Sequence, residues 1–331
     1  MRIVFLGSGT FGLPTLHALT AEGQEVVLLV TQPDRPAGRG QAVVMGPVKR
    51  FGRDQNVPVF QPEDVNAPPS IRRIKRAEPE LLLAIAYGQK LGSRLLETPE
   101  HGAINLHGSL LPKYRGAAPI NWAVINGETE TGLSVIEMID RMDAGDILGQ
   151  RASAIGPNET AGELQERLAE LGARLVAEVI REVSLEEVGR RKQNETQVTF
   201  APRLKKSDGQ VPWDRPALQV YNHVRGMTPW PGAFTHLQTK RGKPPLRLVL
   251  SRTVLAEMLG GKDEPGYAPA KPGEVLAARP EGIDVATARG TIRILELTPA
   301  GKRTMSAADF IHGYPIEPGT RFLDASKSPV S

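Results

Sequence analysis

The chain of 331 residues contains no cysteine. This excludes disulfides, a thiol nucleophile and Cys-ligated zinc, and it fits a reducing compartment, so a cytoplasmic location is expected. Long apolar runs are missing too. No stretch approaches the ~20 apolar residues of a membrane span, so no membrane partner is expected. The amino terminus, MRIVFLGSGT, has only a short apolar run before its glycines, and no signal peptide is expected. Nothing in the pattern calls for an obligate protein partner.

What is present is an ordinary globular composition, 40% hydrophobic and 24% charged, with length for about two domains. The net charge of +4 conceals an asymmetry. From Gly189 onward there are 22 Lys+Arg and 13 Asp+Glu, against 19 and 24 before it. A basic second half points to a polyanionic partner on that side, although basic surface residues also serve solubility.

Ile3 to Leu6 reads as a buried first strand. Gly7, Gly9 and Gly12 follow in the GxGxxG spacing of a dinucleotide-binding turn. That motif requires an acidic residue at the end of the second strand. Here the strand Glu25 to Val30 ends in Thr31-Gln32-Pro33, and Asp34 comes only after the turn. The glycines are therefore read as a tight turn with close helix packing, a nicotinamide cofactor being the lesser alternative. A helix from about Gly46 to Asp54, a strand at Val57 to Phe60 and a basic helix at Ile71 to Ala77 come next. Glu80 to Ala86 is a near-continuous apolar strand, as in the interior of a parallel sheet. Thr160 and Glu163 form a capping box, and Leu164, Leu168, Leu171, Leu175 and Val179 recur at helical spacing. Residues 1–186 are thus expected to form an α/β domain around a mostly parallel, Rossmann-like sheet. Residues 187–207 read as a polar linker, with local pairing open to Val198–Phe200. In 208–324 a helix starts near Asp214 and Pro216. Short strands follow at Ala233–Leu237, Leu246–Val254, Gly273–Ala278, Ile283–Thr287 and Thr291–Leu297, then a capped helix at Ser306–His312. This pattern suggests a smaller, OB-like β-barrel. Residues 325–331 read as a tail.

The chemistry centres on AINLHGSLLPKYRGAAPINWA, Ala103 to Ala123. It opens as a short strand, Ala103 to Leu106, breaks into a Gly/Pro/Ser-rich loop, and recovers as a helix near Pro119. Asn105 and His107, two apart on a strand, point to one face. They sit at its carboxyl end, where open parallel sheets bind ligands. An amide donor beside an imidazole suits a reaction that builds negative charge on an oxygen; a histidine in such a place is also commonly just a packed, hydrogen-bonded residue. The strand Gly132 to Met138 leads into IDRMDAGDIL. A carboxylate of that turn could return to the histidine and hold its imidazolium. Spacing leaves Asp140, Asp143 and Asp146 equally open, and Asp is a common turn residue. Earlier, DRPAGRGQ places Arg35 and Arg39 among Pro and Gly, as in a basic loop that contacts phosphates.

NLHGSLLPKYRGAAPINWA followed by the DAGD turn resembles the signature of the formyltransferases that use 10-formyltetrahydrofolate. TQPDRPAGRGQ, AYG, TPWPGAFT and GKRTMSAADF extend the resemblance through most of the chain, toward the branch whose acceptor is initiator methionyl-tRNA. The resemblance implies Asn105, His107 and Asp143 as the catalytic set. It implies folate contacts at Ser109, Leu110, Leu111 and Pro112 and along Tyr87, Gly88, Gln89, Lys90 and Leu91, although Tyr87 is equally readable as a core aromatic. It implies tRNA contacts at Arg39 and Arg35, 10-formyltetrahydrofolate as co-substrate, and no metal. A formyltransferase with a small amine acceptor, an aminosugar nucleotide or glycinamide ribonucleotide, shares the trio but leaves DRPAGRG and the basic second half unexplained. A non-catalytic nucleic-acid binder remains a reading from another class.

Overall fold

A computed structural model describes residues 1–37, 42–238, 244–256 and 270–323. By packing, the chain forms two compact units. One is built from Met1–Pro119, Glu130–Ala154 and Gln165–Pro202, the other from Ile120–Thr129, Ile155–Leu164 and residues from Arg203 onward. The second unit therefore recruits two segments from the first half of the chain, which no shift in composition announces.

In chain order the first half runs β1 (Arg2–Gly7), α1 (Leu13–Ala21), β2 (Glu25–Val30), the pair β3 (Pro36–Ala37) and β4 (Ala42–Val43), α2 (Pro47–Asp54), β5 (Val59–Phe60), α3 (Pro68–Lys75), β6 (Leu81–Ile85), α4 (Ser93–Leu96), β7 (Ala103–His107), β8 (Arg115–Gly116), α5 (Pro119–Ile125), β9 (Glu130–Glu137), β10 (Ile147–Ala154), α6 (Ala161–Ser184) and β11 (Phe200–Ala201). The main sheet of the first unit has the order β10-β9-β7-β6-β1-β2-β5. Its five strands from β7 to β5 are parallel, whereas β9 and β10 are antiparallel additions at the β7 edge. The apolar runs of β1 and β6 occupy the centre, buried on both faces, as expected of strands covered by helices. Gly7 and Gly12 serve close packing: a Cβ on either would fall within 2.6 Å of the Phe5 ring. The end of β2 carries no acid, and Asp34 beyond it is spent on Lys49 and Gln61, which hold its carboxyl below the usual range. Strand β10 was not foreseen. Its sequence, ILGQRASA, is largely polar and half exposed, as an edge strand can be.

Helix α6 starts as its capping box requires. Glu163 N donates to Thr160 Oγ1 at 3.2 Å, and Thr160 N donates to Glu163 Oε2 at 2.8 Å. Leu164, Leu168, Leu175 and Val179 are buried, the stripe set by helical spacing. Among the described residues no helix is long and apolar enough to cross a membrane.

The second unit holds α7 (Ala217–Gly226), β12 (Ala233–Leu237), β13 (Leu246–Ala256), β14 (Val275–Arg279), β15 (Gly282–Ala286), β16 (Thr291–Pro299), β17 (Met305–Ser306), α8 (Ala307–Gly313) and β18 (Phe322–Leu323). Its sheet is antiparallel, ordered β14-β15-β16-β13-β12-β18. The sheet curls so that its ends meet. Val275 N donates to Thr320 O and Phe322 N to Gly273 O, both at 2.8 Å. Trp213 stacks on Phe322 at 5.7 Å and donates to Thr235 Oγ1 at 3.0 Å, filling the interior. This is the small OB-like barrel expected from short strands with alternating burial.

Candidate active site

Strand β7 lies between β6 and β9, with Asn105 opposite both Ala84 and Ile136, and His107 opposite Ser134. Asn105 and His107 therefore leave the sheet on one face, at the point where its parallel part gives way to antiparallel strands. Asn105 is half-buried. Among the described residues its carboxamide makes no hydrogen bond, so its donors are available to a ligand.

His107 is 5% exposed. Its Nε2 lies 2.9 Å from the carbonyl of Tyr114. A carbonyl only accepts, so Nε2 carries a proton. On the other side Nδ1 faces Asp143 Oδ1 at 3.7 Å, beyond a hydrogen bond but within ion-pair range of a protonated ring. Both ring nitrogens thus face oxygen. Asp143 is fixed in turn by Gly116 N, which donates to its Oδ2 at 2.8 Å.

Of the three aspartates left open by spacing, Asp143 is the one facing the histidine, and Asp140 pairs instead with Lys90 at 2.8 Å. The turn can bring Asp143 back because Gly145 presses on β9. A Cβ there would lie 1.8 Å from the carbonyl oxygen of Glu137. Tyr114 (φ 62°) and Asp143 (φ 51°) both adopt the left-handed region. Aspartate tolerates it, but a bulky aromatic rarely does, and such outliers cluster at functional sites.

The segment Ser109–Pro112 is held from beneath by β9 and β10. Ser134 Oγ donates to Ser109 O at 2.8 Å, and accepts from Leu111 N at 3.1 Å and Gln150 Nε2 at 2.8 Å. Ser109 Oγ is spent on Lys113 O at 2.6 Å. Leu111 packs on Ile136 and Ile147, whereas Leu110 and Pro112 stay half-buried. Along the β6 end the side chains of Tyr87 and Leu91 fill the core. Burial pushes the Tyr87 phenol up and leaves its Oη without a partner. Gly88 is exposed, and Gln89 is locked by Val65 N at 2.9 Å. The Tyr87 carbonyl already accepts from Gln32 Nε2 at 3.1 Å and Ser8 Oγ at 3.3 Å, and the Lys90 ammonium pairs with Asp140, so what this stretch leaves most open is the exposed backbone at Gly88. Arg35 is exposed at the base of β3, and Arg39 lies outside the described residues. The sequence reading missed the main-chain groups of Tyr114 and Gly116, which nothing in their side chains advertises. It also missed the contacts of residues 191–197, and at Val198–Phe200, where it leaves pairing open, it does not name the partner, which is β8.

Residues 1–180 match the formyl transferase family and residues 203–315 the formyl transferase C-terminal domain. With the fold, these matches put the chain among the two-part formyl transferases. A methionyl-tRNA formyltransferase of Geobacter sulfurreducens is 45% identical over 325 residues, 98% of either chain. The chain belongs to the methionyl-tRNA formyltransferase family. More distant solved structures share the fold. HypX from Aquifex aeolicus in complex with tetrahydrofolic acid has a TM-score of 0.64 at 19% identity, with 94% of this chain and 47% of HypX covered. WlaRD, a sugar 3N-formyl transferase, has a TM-score of 0.62 at 15% identity, with 92% and 99% covered.

Proposed function

We propose that the protein transfers the formyl group of 10-formyltetrahydrofolate to the free α-amine of initiator methionyl-tRNA, giving the formylated aminoacyl-tRNA used to begin translation. The observation that carries the reading is the convergence of Asn105, His107 and Asp143 at the carboxyl end of β7, in a chain whose full-length relatives bear that activity's name. The amine attacks the formyl carbon, a C–N bond forms, and the carbonyl oxygen becomes anionic. Asn105 donates to that oxygen from its unpaired carboxamide. His107, acting as imidazolium, stabilises the same charge electrostatically, with Asp143 as its counter-charge. Collapse of the intermediate breaks the bond to the folate nitrogen. Asp143 relays the proton from the attacking amine to that nitrogen through water, so atoms and charge balance.

The folate lies along Ser109–Pro112, with Leu110 as apolar surface, and against the main chain of Tyr87 to Leu91, where Gly88 admits close approach. Arg35 and Arg39 contact the phosphates of the acceptor end. The fold of residues 1–186, with 191–201 fastened to it, serves catalysis, and 208–324 adds basic surface for the tRNA.

Loss of one oxyanion donor costs about 3–4 kcal/mol of barrier, so Asn105→Ala and His107→Ala should each slow transfer by ~100-fold or more. Labelled formyl transfer to methionyl-tRNA, with melting curves as the folding control, checks this. Near-normal turnover in both variants would discard the assignment. Transfer to aminosugar nucleotides or glycinamide ribonucleotide with none to methionyl-tRNA would favour the small-amine reading.

A further inference from the structure

The polar stretch after α6 looks in sequence like a passive linker, yet residues 191–201 are fastened to the candidate site repeatedly. Arg191 exchanges main-chain bonds with Ile147 at 2.8 and 2.9 Å, and its guanidinium donates to Gln150 Oε1 at 2.7 Å. Tyr114 N donates to Thr199 Oγ1 at 2.8 Å, and β11 pairs in parallel with β8. Gly116 allows that pairing, since a Cβ there would lie 2.4 Å from Ala201 O.

Gln193 stands at the centre of these contacts. Its Nε2 donates to the carbonyls of Asp143 and Gly145, each at 2.8 Å. Its Oε1 accepts from Arg115 Nη2 at 2.7 Å and Nε at 3.1 Å. Arg115 is 6% exposed and also pairs with Glu195 at 2.9 Å. One carboxamide thus ties the backbone of the Asp143 turn to the side chain of Arg115, and through it to the Tyr114–Gly116 segment. The Asp143 turn supplies the carboxylate, and Tyr114–Gly116 supplies the carbonyl that accepts from His107 and the amide that donates to Asp143.

We infer that Gln193 is a positioning residue for formyl transfer, setting Asp143 at its distance from His107. The inference rests on the proposed activity. A carboxamide is required because it presents two donors to carbonyls and an acceptor to a guanidinium at once. Glutamate keeps the acceptor but turns a carboxylate toward two carbonyls. Alanine removes both halves of the clamp.

The test measures kcat and KM for labelled formyl transfer in Gln193→Ala and Gln193→Glu, each alone and with Asp143→Asn. It adds the NMR amide resonance of Gly116, which reports the bond to Asp143. Displacing a reacting group by about 1 Å costs up to ~100-fold. Both substitutions should therefore lower kcat by about 10- to 100-fold, with either KM altered less than about 3-fold. In the Asp143→Asn background a further change at Gln193 should cost little, because the group it positions is already lost. The Gly116 resonance should shift in both single variants. Unchanged turnover, full activity in Gln193→Glu, or an equal loss with and without the Asp143 carboxylate would overturn the inference. Should the parent protein transfer no formyl group, the activity reading fails, and the Gly116 resonance still decides the positioning: a shift supports it, an unmoved resonance overturns it. Gln193→Glu, near-isosteric, keeps the question answerable if Gln193→Ala does not fold.

Discussion

Two histidines, buried almost equally, sit in opposite surroundings. His107 has an oxygen opposite each ring nitrogen. His223, on α7, has an Nε2 that is buried without a partner, and burial lowers its pKa from 6.5 to about 4 against the weaker opposing pull of the Gly209 and Gln210 backbone and Asp208. In the sequence the two look alike, and only the surroundings separate them. For His223 the sign is direct. Between pH 6.5 and about 4 the unfolded chain binds a proton that the folded chain refuses, so stability falls as pH falls through that window. Above pH 6.5 the contribution is constant. The loss at acid pH amounts to about 3 kcal/mol at most. Denaturant unfolding at a series of pH values should show a shallower acid slope in His223→Gln than in the parent. An identical slope would mean that His223 titrates as an ordinary histidine.

At the scale of single elements, local patterning was legible where neighbours along the chain decide the outcome. Strands β2 and β12 fall at the expected residues, and α6 begins at its capping box. The cap makes a measurable claim. Thr160→Ala removes the acceptor for Glu163 N, and loss of such a cap costs about 1 kcal/mol. The midpoint of denaturant unfolding should drop with an unchanged slope; an unmoved midpoint would show that water replaces the hydroxyl without penalty. Legibility failed for β10 and for residues 191–201. Both are polar, and what makes them ordered is pairing with remote chain: β10 with β9, Arg191 with Ile147, and β11 with β8. No periodicity of their own records those partners.

Over the whole molecule, charge is the property that points outward. The excess of Lys and Arg after Gly189 suits a polyanionic acceptor. If the acceptor is tRNA, KM for methionyl-tRNA should rise at least ~10-fold between about 50 and 200 mM salt, because each counterion that phosphate contacts release gains less free energy in a saltier medium. KM for the folate should move far less. Steady-state kinetics at four salt concentrations would check this, and a salt-independent KM for the tRNA would argue that the basic surface takes no part in its binding.

Residue types and their spacing determined the parallel core, the curled barrel of short strands, and the presence of an amide, an imidazole and a set of carboxylates around one strand end. Burial of apolar runs and the two-residue period of a strand are local properties, and they survive in any chain that carries the pattern. Tertiary structure alone decided that Asp143 faces His107 while Asp140 pairs with Lys90. It alone decided that the Tyr114 carbonyl takes one N–H of the ring, that segments 120–129 and 155–164 join the second unit, and that Gln193 clamps the aspartate turn. Those outcomes depend on which backbone groups, far apart in sequence, are left needing a hydrogen-bond partner once the sheet has formed, and that need exists only in the folded chain.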